Sequence, residues 1–139
     1  MPIKFHRAEV QRAVEKHITR NLTRAAIVVQ RQARKNAMVG GKAGFKTSRG
    51  AAGLVGSIGF EVKRFIARVG SNLVYARIHE IGGVIRPKTA KALHFVIDGQ
   101  HIVVQSVTIP PRPYLRPALF DQRARVTREL TRPMPRTTP

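Results

Sequence analysis

The sequence contains no cysteine. Disulfides, thiolate zinc sites and cysteine nucleophiles are therefore excluded together. A chain of 139 residues can still bury enough surface to fold on an ordinary apolar core. Tryptophan is also absent, and six Phe and two Tyr offer little for stacking along single-stranded nucleic acid. Acidic residues are scarce: the seven Asp and Glu are scattered, with no close pair suited to acid–base or two-metal chemistry. Long apolar runs are missing too. The stretch at 25–29 falls far short of the ~20 residues that a membrane helix requires. The first seven residues are basic but no apolar segment follows them, so no secretory leader is expected. These absences imply a soluble protein with no membrane partner.

What is abundant is positive charge. Lys and Arg number 26, and the net charge is +19. Twelve of these cations lie in residues 1–50 and seven in 111–139, so both ends are basic around a milder centre. Such an excess implies a negatively charged partner, whether nucleic acid, an acidic protein surface or anionic lipid, and the charge alone does not choose among them.

Residues 8–37 read as one long helix. Val10, Val14, Ile18 and Leu22 recur every fourth position, and Ala25, Val29 and Ala33 continue the stripe. A second ridge, Arg12, Lys16, Arg20 and Arg24, sits two residues later, about 200° around the helix. The apolar and basic ridges thus occupy opposite faces. The four cations are the candidate partner-binding residues, because cations in line repel one another unless something compensates them. A helix this long carries more apolar stripe than a small domain covers, which implies a partner for part of it.

Residues 39–59 hold seven of the eleven glycines and read as a mobile loop. Residues 60–69 read as one strand, followed by a turn at Gly70-Ser71-Asn72. Residues 74–81 read as a short helix ended by Gly82-Gly83 in a left-handed cap. Val84-Ile85 adds a strand, and Asp98-Gly99 marks a hairpin between 92–97 and 101–107. After the stiff Pro110-Pro111-Arg112-Pro113, a last helix is expected to carry Leu115, Leu119, Val126 and Leu130 inward. Residues 132–139, with three prolines, read as a disordered tail. The fold class is α+β: a long N-terminal helix, a small, mostly antiparallel sheet with a hairpin, and a C-terminal helix, in a single domain spanning 1–131.

Catalytic and cofactor motifs fail on inspection. The stretch from Gly40 to Thr47 nearly matches a phosphate-binding loop, but Phe45 replaces the glycine whose backbone must close on phosphate. His79-Glu80 begins like a zinc-protease helix, yet position 83 is Gly83. The five histidines lack ligand spacing, although His94 and His101 can face each other across the hairpin. Ser57 lacks the flanking glycine of a nucleophile elbow on its N-terminal side, where Val55 stands. The expectation is a protein that is not an enzyme and that uses no cofactor and no metal.

The second half carries a more specific pattern. Tyr75-Ala76-Arg77-Ile78-His79-Glu80-Ile81-Gly82-Gly83 precedes the hairpin, and Ile109-Pro110-Pro111-Arg112-Pro113-Tyr114-Leu115 follows it. This order, over residues 74–119, resembles the tail-completion and head–tail joining proteins of long-tailed bacteriophages, the phage virion morphogenesis family. Leu54, Ser57 and Ile58 fit that family's Thr-Gly-x-Leu-x-x-Ser-Ile stretch, while Ala51 and Ala52 replace its Thr-Gly. The resemblance implies an α+β subunit without catalysis that acts at the virion neck after assembly in the host cytoplasm. Its implied partners are copies of itself in a hexameric ring around the DNA channel, and the neighbouring tail-terminator, tail-tube or head-connector proteins. The alternative, carried by charge, is a basic nucleic-acid-binding module in contact with genomic DNA.

The missing loop glycine has a direct consequence. Titration calorimetry with ATP or GTP should show no saturable binding in the micromolar range.

Overall fold

A computed structural model describes residues 6–40, 50–97 and 99–135. Its elements, in chain order, are α1 (Arg7–Gly40), α2 (Gly50–Ser57), β1 (Ile58–Lys63), β2 (Ile66–Ser71), α3 (Ala76–Ile81), β3 (Gly83–Ile85), β4 (Leu93–Ile97), β5 (Gln100–Val104), β6 (Val107–Ile109), α4 (Leu115–Asp121) and α5 (Arg123–Leu130). The class is α+β, with a long N-terminal helix and C-terminal helices. The strands form three two-stranded antiparallel ladders, β1–β2, β3–β6 and β4–β5. The chain divides into two compact units, one of residues 1–72 with 114–139, the other of residues 73–113.

The first unit is organised on α1. Its 34 residues span about 51 Å. The apolar stripe read from the sequence splits into two regimes. Ala25, Ala26, Val29 and Ala33 are buried, because α2, the β1–β2 hairpin, α4 and α5 all pack on this stretch. Val10, Val14 and Ile18 remain 45%, 39% and 37% exposed.

The structure departs from the sequence expectations at three places in this unit. Of the expected glycine-rich loop, positions 41–49 lie outside the described residues. Gly50–Ser57, however, is helix, and Ile58 already starts β1. Burial of Leu54 and Ile58 outweighs the conformational cost of Gly53, Gly56 and Gly59 around them. The single strand expected at 60–69 is instead a hairpin turning at Arg64 and Phe65, with Gly70 and Ser71 inside β2. Both turn residues have positive φ, 45° and 66°, as a two-residue hairpin of the primed type demands, although neither is Gly, Asn or Asp. The last helix is two helices broken at Gln122, and Leu119 and Leu130 lie exposed where burial was expected. Tyr114 and Ala118 are buried in their place. Of the expected tail, 136–139 lies outside the described residues.

The second unit joins the two sequence segments that bracket the hairpin. β3 pairs with β6 in the register Gly83↔Ile109 and Ile85↔Val107. The Arg112 N–H donates to the His79 carbonyl at 2.8 Å, closing the clasp one turn back along α3. Ala76 is the buried residue of α3, whereas Tyr75 and Ile81 are exposed. The expected hairpin is present as β4 and β5; Asp98 itself lies outside the described residues. Gly82 has φ +71° with ψ −179°, so it ends α3 in an extended conformation with positive φ, not in the expected left-handed cap. A Cβ on Gly82 would stand 2.8 Å from Pro111 Cδ and 2.9 Å from the Ile109 carbonyl oxygen. Neither neighbour can yield, since both are held by the β3–β6 ladder and the proline ring.

Gly82→Ala should therefore destabilise the protein by about 1–3 kcal/mol. Urea denaturation should show a lower midpoint, with the loss falling on probes in residues 73–113.

Candidate interaction surfaces

The four cations singled out from the sequence all lie on α1. Arg12, Lys16, Arg20 and Arg24 are each exposed and follow one another at four-residue steps, about 6 Å apart along the axis. Among the described residues none of the four takes part in an ion pair, unlike Lys63 and Arg68, which pair with Glu61, and Arg132, which pairs with Glu129. The ridge is therefore an unneutralised line of charge on the face opposite Val10, Val14 and Ile18.

How the hairpin reaches this helix follows from one carbonyl. Gln30 Nε2 donates to the Ile58 oxygen at 2.8 Å, and Arg34 donates to the same oxygen through Nε at 3.2 Å and Nη2 at 2.9 Å. From that anchor β1 runs back along α1, and its tip brings Phe65 beside His17, Ile18 and Leu22. Phe65 is 53% exposed, so the tip extends the uncovered apolar surface of α1. On the outer face of the hairpin, the hydrogen bond and charge of Lys63 hold the Glu61 carboxyl below the usual carboxylate range.

The chain after α5 is tied to the same part of α1. His17 Nε2 lies 2.8 Å from the Arg132 carbonyl oxygen and must donate to it. That assigns the Nε2–H tautomer, so the 3.1 Å approach of Asn21 Nδ2 to this nitrogen is not itself a hydrogen bond. Asn21 Nδ2 instead donates to the carbonyls of Leu130 at 3.3 Å and Arg132 at 3.0 Å. It thereby satisfies acceptors that the end of α5 leaves open. Asn21 is only 4% exposed, and its Oδ1 has no hydrogen-bond partner among the described residues. This clasp places Arg132, read as the first residue of a loose tail, in an ordered position. One sign of it is legible in the chain: a polar Asn21 borders the apolar stripe.

In the second unit, His79 packs edge-on to Tyr75, with ring centroids 5.9 Å apart. Burial first, and the Arg112 charge second, hold its imidazole pKa below the ordinary value. The rings of His94 and His101 stack at 5.3 Å across the β4–β5 hairpin. Among the described residues no group of three or more His, Cys, Asp or Glu is placed to hold a metal. Nor is any helix there long and apolar enough to cross a membrane. Ser57, considered above as a nucleophile, donates its hydroxyl to the Leu54 carbonyl at 2.7 Å.

The described surface thus combines a helix with an exposed apolar face, a bare cationic face opposite it, and an apolar hairpin tip alongside. The model of the phage virion morphogenesis family matches residues 25–132, well over half the chain, and the protein belongs to that family. It is a phage protein of virion assembly. No curated protein and no solved structure matches it. The match spans both motif segments that the β3–β6 ladder brings together, as well as the buried half of α1.

The strained tip separates stability from assembly. Replacing Arg64→Asn together with Phe65→Gly supplies the residues a primed turn favours, and should raise stability by about 1 kcal/mol. Removing the Phe65 ring should at the same time reduce particle yield when the gene is complemented in trans. Thermal melting and plaque titre would report the two effects.

Proposed function

We propose that this chain completes the phage tail and joins it to the head at the neck, as a non-catalytic subunit of a ring around the DNA channel. Family membership supports a structural role in virion assembly. The observation that carries the finer reading is the sorting of side chains on α1. An exposed apolar face and an exposed basic face point in opposite directions from one rigid helix. Such an element can bridge two different neighbours.

We assign the basic ridge to an acidic protein neighbour. DNA passing through a neck must not be retained. Copies of Arg12, Lys16, Arg20 and Arg24 lining the channel would hold phosphates through counterion release. An acidic face on an adjoining head or tail protein uses the same charge without that penalty. The competing reading, a module that binds nucleic acid, rests on the same four cations and the +19 charge. It requires an affinity for DNA that falls steeply with salt, by roughly one logarithmic unit per phosphate contact for each tenfold rise in salt.

Reversing all four cations to Glu should leave the fold intact, because their side chains meet solvent. In a phage lacking the gene, the reversed variant should yield DNA-filled heads and separate tails under the electron microscope. Normal joining would sink the assignment. Joined particles that fail only in DNA ejection would place the ridge on the channel.

A further inference from the structure

The basic surface of the first unit is wider than the ridge from Arg12 to Arg24. Successive residues of a helix turn by about 100°, so a ridge of every fourth residue winds about 40° at each step. Arg12 and Arg24 consequently stand about 120° apart around α1. The exposed face itself continues straight along the axis, from Arg20 and Arg24 through Ile27, Arg31, Lys35 and Met38, at steps of three and four residues. These six keep within a sector of about 80° and cover about 27 Å of helix. Ile27 is half-buried and the other five are exposed, Met38 at 61%.

A second helix widens this face. α5 lies antiparallel beside α1: Asn21 donates to the Leu130 carbonyl at one end, and the Gln122 side chain donates to Gln32 at the other. On one flank of α5, Val126 and Leu130 line an apolar groove with Ala25 of α1, Ala67 of β2 and Leu119 of α4. Arg125 and Arg128 stand about 100° and 160° round from Val126, turning away from Leu130. That flank adjoins the bare face of α1, and both arginines are exposed. Axes of packed helices lie about 8–10 Å apart, so the cations of the two helices make a plate rather than a line. Among the described residues none of Arg20, Arg24, Arg31, Lys35, Arg125 and Arg128 takes part in an ion pair, and the carboxylate on this flank of α5, Glu129, is taken by Arg132.

Two features of the plate select its occupant. Its charge calls for anions opposite, and a second copy, at a net charge of +19, brings far more cation than anion. Ile27 and Met38 lie in line with the cations. The phosphate backbone of a nucleic acid is held through charge and hydrogen bonds, which neither of these side chains supplies. A protein surface suits both kinds of residue, because contact patches between proteins join an apolar centre to a polar rim and are enriched in Arg and Met. We infer that the α1–α5 plate receives an acidic protein surface in which carboxylates alternate with apolar side chains. This rests on the acidic-neighbour reading of the ridge and moves the centre of the contact to Arg24, Arg31 and Arg125, with Arg12 at its margin.

Carbodiimide coupling tests the contact without any substitution. It joins an amine to a carboxylate already touching it, so in intact particles Lys35 should couple to an Asp or Glu of another protein, read by mass spectrometry. Coupling of Lys63 to Glu61, paired within the chain, shows that the reaction has worked. In a phage lacking the gene, Arg31→Glu with Arg125→Glu should lower the plaque titre at least about tenfold. Met38→Ser, which leaves the charge unchanged, should lower it at least about threefold. Arg7→Glu with Arg123→Glu makes the same charge change at exposed positions off the plate and should stay within about twofold of the parent. Thermal melting of each purified variant checks the fold. The inference is overturned by a normal titre from Arg31→Glu with Arg125→Glu, by an equal loss from both charge pairs, by a normal titre from Met38→Ser, or by Lys35 coupling to no protein. Tight binding of a duplex of about 20 base pairs, abolished by Arg31→Glu with Arg125→Glu and untouched by Met38→Ser, would give the plate to nucleic acid and overturn it too. Coupling of Lys35 to an acidic protein remote from the head–tail junction would leave the plate standing and sink the neck assignment.

Discussion

The carbonyl of Ile58 is the point on which the first unit is hung. It accepts from Gln30 and twice from Arg34, so the register of the β1–β2 hairpin against α1 is set by three donors on one oxygen. An unpaired buried carbonyl would cost about 1–3 kcal/mol, and the charge-assisted bonds from Arg34 are stronger than neutral ones. From this anchor the geometry follows arithmetically. Six residues of strand cover about 20 Å, and the fourteen residues of α1 from Gln32 back to Ile18 cover about 21 Å. The hairpin tip therefore arrives at Ile18 and ends where the helix loses its cover. The boundary between the buried and the exposed halves of α1 is a consequence of strand length.

The alanines of α1 are the other half of this arrangement. Ala25, Ala26 and Ala33 let the hairpin and the C-terminal helices approach closely on different sides of one helix. Small residues bring backbones near but fill little volume. Among the described residues the largest fully buried side chain is that of Ile58. A core of this kind gains less from burial than one of leucines and phenylalanines. Exposed Phe65, Leu119 and Phe120 are then better understood as surface awaiting neighbours than as defects of packing.

Much of the architecture was legible where one local signal dominated. The 3.6-residue recurrence of Val10 through Ala33 declared α1, and Asp98-Gly99 declared the β4–β5 hairpin. The clasp between 79–85 and 107–112 was legible as a pair of motifs, though not as a contact. What escaped had its cause elsewhere in the chain. Arg64 and Phe65 carry no turn chemistry, and only the pairing of Phe60 with Val69 across the ladder forces them to positive φ. The glycines near α2 suggested a loop because the burial that orders Leu54 comes from α1, far away in sequence. The break at Gln122 has no proline or glycine to announce it; its side chain instead donates to Gln32 Oε1 on α1 at 3.3 Å. The basic ridge could be read as one helix face. The apolar groove could not, since three separate stretches of chain build its walls.

The unbroken run of α1 from covered to uncovered ground bears on how a partner would meet it. A helix of about fourteen residues in isolation is marginal in water, because starting the first turn orders several residues for one hydrogen bond. Here the start is made inside the folded unit, on Ala25, Ala26 and Val29, and the segment from Arg7 to Arg20 only has to extend an existing coil one residue at a time. The projecting arm is thus a propagated helix rather than a nucleated one. A neighbour that grips it finds a rod already formed, and the rate of capture is governed by encounter, with no wait for the chain to order.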